Sequence, residues 1–152
     1  MNKMLLAILA LFLIGGLAVY WNAAPSRQQA AGHSMVPPDT SGVARGAPIV
    51  EVSVPTDLSA NAQIGKRAFE AKCAECHGAN AAGQNGVAPP LVHKIYEPSH
   101  HSDMAFVLAA KNGVRSHHWN FGNMPPVKGL TDADVKMVTQ FVRELQEANG
   151  IF

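Results

Sequence analysis

Both cysteines of the 152-residue chain fall in one stretch of five residues, "CAECH", as Cys73 and Cys76, and His77 follows at once. This spacing constrains the fold more than any other feature of the sequence. A disulfide between residues three apart closes a very small loop and removes little chain entropy, so the pair is not a staple. One helical turn carrying two thiols and an imidazole is built to meet something other than the chain itself.

C-x-x-C-H is the attachment signature of c-type haem. The two thiols add to the two vinyl groups of one porphyrin edge, and the adjacent imidazole reaches the iron from the same side. Two alternatives remain at this level. A thioredoxin-like C-x-x-C belongs after a strand in a βαβ context, and no such pattern surrounds it. A zinc site built on Cys73, Cys76 and two further histidines lacks a second pair of ligands at matching spacing.

The chain divides by composition into residues 1–21, 22–57 and 58–152. Residues 4–21 are uninterrupted apolar or small residues, long enough for one transmembrane helix. A cleaved signal peptide has a shorter apolar region and a small-x-small site. Here the run continues to Trp21 and Pro25 lies just beyond, which favours an uncleaved anchor. Lys3 precedes the span, so the positive-inside tendency places the remainder outside the cytoplasm. Residues 22–57 are rich in Ala, Gly, Pro, Ser and Gln and read as a flexible linker with a coil reach of roughly 30–36 Å. Within it "IVEVSVP" (49–55) alternates with period two and reads as a strand-like strap lying on the domain, with plain apolar linker as the alternative.

The domain from residue 58 onward carries three helical patterns. The first runs up to the cysteine motif with Ile64, Ala68 and Ala71 at helical spacing and Phe69 beside them. The second starts after Ser102, carries Met104, Val107 and Leu108, and stops at Gly113. The third opens with Thr131 and Asp134 in capping-box positions and lines up Val138, Phe141, Val142 and Leu145. Gly- and Pro-rich loops separate them, and the expected architecture is all-α. A domain this small gains from a cofactor in its interior.

A six-coordinate electron-transfer haem needs a second axial ligand. Met124 stands in "GNMPP", where Pro125 holds it extended and two prolines stiffen the loop. His117 and His118 are the rival ligands. Met104 and Met137 fall among apolar helix neighbours and read as core. The remaining histidines beyond His33 and His77 read as solvated loop residues, with a copper or other metal site as the alternative.

From about residue 59 to 149 the order helix, "CAECHG", Pro-rich loop, middle helix, "GNMPP" and final helix resembles a class I monohaem cytochrome c. The resemblance implies one covalently attached haem c on Cys73 and Cys76, with His77 and Met124 as iron ligands. It implies first and last helices that cross around Gly65, Phe69 and Phe141. It places a carbonyl at Pro89, or less readily Pro90, against the second nitrogen of His77, and Leu91 in the pocket wall. Trp119, outside the general pattern, packs on the porphyrin or donates its indole N–H to a propionate.

Functional classes narrow accordingly. A net charge of +1 from 12 basic and 11 acidic residues, with no basic patch, argues against nucleic-acid binding. No paired carboxylates or spare thiol suggest an enzyme. The expected function is a haem electron carrier, tethered by its N-terminal helix, that exchanges electrons with redox proteins at the membrane. The alternatives are a haem subunit fixed within a dehydrogenase or oxidase complex and, less readily, a haem ligand sensor.

Overall fold

The computed structural model describes residues 35–152. The apolar run at 4–21, read as a membrane span, lies outside the described residues. Among the described residues no helix is long and apolar enough to cross a membrane.

The described chain is helical: α1 (Ala60–Lys72), α2 (Ala74–His77), α3 (Asp103–Asn112) and α4 (Asp132–Ala148), with 3₁₀ turns at Ala79–Ala81 and Lys94–Tyr96. Extended pairing among these residues is limited to two isolated bridges, Gln84 with Ala88 and Val114 with Met124.

Helix α1 begins at Ser59, whose side chain accepts from the Ala62 amide at 3.2 Å. The same hydroxyl donates to Glu144 on α4 at 2.5 Å, so one residue caps the first helix and ties it to the last. The helices cross at Gly65. A Cβ there would lie 1.8 Å from the Met137 carbonyl oxygen, so only a residue without a side chain allows this approach. One turn on, Phe69 packs on Phe141 with ring centroids 5.6 Å apart and planes tilted by 57°.

This contact decides which face of α1 is inside. The expected set Ile64, Ala68 and Ala71 is corrected in two places: Ala68 packs against the core, but Ile64 is 46% exposed and Ala71 exposed, while Ala62, Gly65 and Phe69 are buried. Close helix approach at a glycine, rather than the largest aliphatic residue, fixes the rotation. Helix α4 matches its pattern, with the reciprocal Thr131–Asp134 capping box formed and Val138, Phe141, Val142 and Leu145 buried. With Ala62, Phe69, Ala81, Val92 and Ile151 they make the main core.

Helix α3 is bounded by Ser102 and Gly113 as expected, but Ser102 makes no side-chain capping bond. It buries Val107 and Ala110, whereas Met104 and Leu108 are about half exposed, which corrects the reading of Met104 as core. The helix is flanked by the α4 core on one side and a cavity on the other, so its apolar residues serve two surfaces.

The strap at 49–55 lies on the domain without becoming a strand. The Ile49 and Val50 amides donate to the Ala82 carbonyl at 3.1 and 3.2 Å. Ser53 exchanges two bonds with the Asn149 side chain, and Val52 packs against the core. Further back, Asn85 holds the carbonyls of Thr40 and Val43 with its side-chain amide. The second half of the segment read as flexible linker is therefore docked.

Candidate haem site

Around the cysteine motif the chain folds a cavity of about 510 Å³. Cys73, which caps α1, and α2 carry the thiols and His77 into its wall. The motif is one turn of helix because the His77 amide returns to the Cys73 carbonyl at 2.9 Å, and Gly78 ends it. Cys73 and Cys76 form no disulfide. Before attachment, burial pushes the Cys73 thiol up to about 11, and the neighbouring Cys76 adds to the shift.

His77 is buried, and its Nδ1–H donates to the Pro89 carbonyl at 2.9 Å. This leaves Nε2 as the lone-pair nitrogen, free for iron. Desolvation lowers the pKa of the ring and the Pro89 bond works against it, so the imidazole is neutral, as a ligand must be. Pro89 comes within reach because the loop after α2 folds back on itself. The Gly83 amide donates to the His77 carbonyl at 2.7 Å, and the Leu91 amide to the Ala81 carbonyl at 2.9 Å.

Met124 reaches the same cavity from the loop after α3. It pairs with Val114 in both directions, at 2.9 and 3.0 Å, and the Val127 amide donates to the Ala110 carbonyl at 2.8 Å. A Cβ at Gly113 would meet the Met124 carbonyl oxygen at 2.5 Å, and its φ of +76° suits glycine. The Met124 loop is thus pinned to the end of α3 on both sides of the methionine.

Pro89, Leu91 and Trp119 also line the cavity, so the structure brings together all seven residues singled out from the sequence. Trp119 is buried and its carbonyl accepts from Ser116 Oγ. Burial raises the pKa of Tyr96 and the neighbouring Trp119 side chain opposes the rise. The indole Nε1–H of Trp119 reaches hydrogen-bonding geometry with no partner among the described residues. A buried donor beside an apolar cavity is a position that a ligand's acceptor would satisfy.

Sequence reading missed the residues that hold this wall from behind. Arg143 on α4 donates to Asp103 at 2.8 Å, to the Tyr96 carbonyl at 2.8 Å, to Gln146 at 2.6 Å and to the His101 carbonyl. Gln146 donates to the carbonyls of Leu91 and Tyr96 at 2.8 and 3.0 Å. Their position three apart on the buried face of an amphipathic helix was the available signal, since a buried arginine implies several acceptors.

His117 and His118 line the cavity too. The His117 Nδ1 lies 3.0 Å from the Arg115 carbonyl, and His118 Nε2 lies 3.2 Å from His100 Nε2. One nitrogen of each is therefore already engaged by a neighbour within the protein.

The residues present fit a covalent haem. Two thiols one helical turn apart, a neutral oriented imidazole, a thioether on a pinned loop and a buried donor share one largely apolar cavity. The cytochrome c family model matches residues 62–146, more than half of the chain. No curated protein matches the chain. The chain belongs to the cytochrome c family and binds covalently attached haem c, with Cys73 and Cys76 in the attachment spacing.

Proposed function

We propose that the protein is a class I, single-haem electron carrier tethered to the bacterial inner membrane by residues 1–21, with its haem domain on the periplasmic side. It is not an enzyme in this reading, and its partners are redox protein donors and acceptors at the membrane. The observation that carries the proposal is the pair of fixed ligand positions: His77 held by Pro89 and Met124 pinned through Val114.

When bound, haem c supplies a one-electron Fe(II)/Fe(III) couple. The chain's residues determine how that couple is used. Cys73 and Cys76 hold the group without exchange. His77 presents Nε2 in a single tautomer, and Met124 would supply the second protein ligand to the iron, which would leave no position for a substrate. A soft thioether and a neutral imidazole favour both oxidation states with little rearrangement, and Trp119, Leu91 and Val138 keep water from that side of the cavity. Exposed Cys76 and Val87 mark where the cavity opens toward a partner.

The docked strap at 49–54 supports the tether reading, because it fixes where the linker leaves the domain. A tether raises the effective concentration of the carrier at membrane-bound partners.

The test is the optical spectrum of the full-length ferric protein in detergent beside Met124→Ala. The weak long-wavelength band that marks Met–iron ligation is expected in the wild type and absent in the variant. A low-spin wild type without that band would overturn Met124 in favour of His117 or His118. A high-spin wild type would favour ligand sensing.

A further inference from the structure

Two loops bring together four histidines to which the electron-carrier reading gives no role. His100 and His101 follow the Lys94–Tyr96 turn, and His117 and His118 follow α3. Neighbouring ring centroids lie 4.4–5.9 Å apart. One nitrogen from each of His100, His101 and His118 lies within 4.8 Å of the other two, and the closest pair, His100 Nε2 and His118 Nε2, is 3.2 Å apart. Three nitrogens bound to one zinc ion at ~2.0–2.1 Å would be about 3.3–3.5 Å apart, so small ring rotations close the set around an ion.

The surroundings prepare two of the three. His101 Nδ1–H donates to the Ile95 carbonyl at 2.6 Å, which leaves Nε2 with its lone pair, and the His101 carbonyl is held by Arg143. His118 is hydrogen-bonded to the backbone of Met35 while its Nε2 faces His100. Backbone carbonyls that fix the non-ligating nitrogen are the usual outer support of a histidine metal site. His117 stacks beside His101 and closes one flank. No carboxylate belongs to the group. An all-imidazole set suits zinc or copper rather than calcium or magnesium.

We propose that His100, His101 and His118 form a second metal site, which binds one zinc or copper(II) ion through three imidazoles and leaves one position open. Without metal, the 3.2 Å contact is a hydrogen bond between the two imidazoles. His101 and His118 also line the haem cavity, so an ion held here puts two positive charges at its wall. That charge opposes oxidation of the iron and raises the reduction potential.

The experiment is isothermal titration of Zn²⁺ into the full-length haem-loaded protein in detergent, with His100→Ala, His118→Ala, their double variant and His33→Ala beside the wild type. The haem spectrum of each variant reports that its pocket is folded. One Zn²⁺ per chain is expected, weakened at least about tenfold by each single substitution in the cluster and unchanged by His33→Ala. The midpoint potential is expected to rise with Zn²⁺ in the wild type and to stay fixed in the double variant. No saturable binding, or binding that persists in the double variant or disappears with His33→Ala, would overturn the site.

Discussion

At the scale of single residues, Gly65 and Glu144 carry what the fold itself needs. Gly65 is structural: a methyl group there would run into the Met137 carbonyl at 1.8 Å, so Gly65→Ala forces the crossing helices apart. We expect it to lower unfolding free energy by about 3 kcal/mol or more in a urea titration. Gly42→Ala, with nothing within 4 Å of the added carbon, should leave the midpoint unchanged. Glu144 links stability to pH. Burial raises its pKa, but bonds from the Ser59 hydroxyl, the Ser59 amide and Gln140 outweigh this and leave it below the ordinary carboxylate value. A depressed carboxylate stabilises the fold fully above the unfolded pKa, and that contribution is lost as pH falls through the folded pKa. Glu144→Gln should therefore flatten the loss of stability on acidification below the ordinary glutamate range, measured as urea midpoint against pH.

At the scale of elements, legibility followed the strength of the local pattern. Helix α4 was readable because capping box and apolar stripe agree, with Thr131 bonded to Asp134 and Phe141 buried. Helix α1 was readable in extent, but its inward face was not. Periodicity ranks residues by size, and the crossing selected Gly65 and Ala62 over Ile64. The cavity side of α3 was illegible for a related reason: Leu108 faces a surface that the sequence alone does not distinguish from core. The strap could be recognised by its alternation, but its partners, Ala82 and Asn149, are far along the chain and nothing local names them. Ser59 belongs to this scale as well. It caps α1 and binds α4, so Ser59→Ala is expected to cost about 1 kcal/mol or somewhat more, read as a lower thermal midpoint.

At the scale of the whole molecule, the haem pocket is assembled from segments that α4 gathers behind it. The candidate ligands were legible because chemistry restricts them: few residue types hold iron, and Cys73, Cys76, His77 and Met124 stand in motifs. The support was not, because Arg143 and Gln146 act through the backbone carbonyls of Leu91, Tyr96 and His101, which leave no mark in a sequence. Arg143→Met should cost about 2–4 kcal/mol in a urea titration, chiefly through buried carbonyls left without a donor. The ion pair adds little, since Asp103 is 71% exposed. If the proposed tether is right, deleting residues 1–21 and supplying a cleavable export signal moves the protein to the soluble fraction with its haem spectrum intact. The central claim is that His77 and Met124 close the iron to outside ligands. Its most direct test is carbon monoxide titration of the ferrous full-length protein at neutral pH: the account predicts an unchanged spectrum, and stoichiometric binding would contradict it.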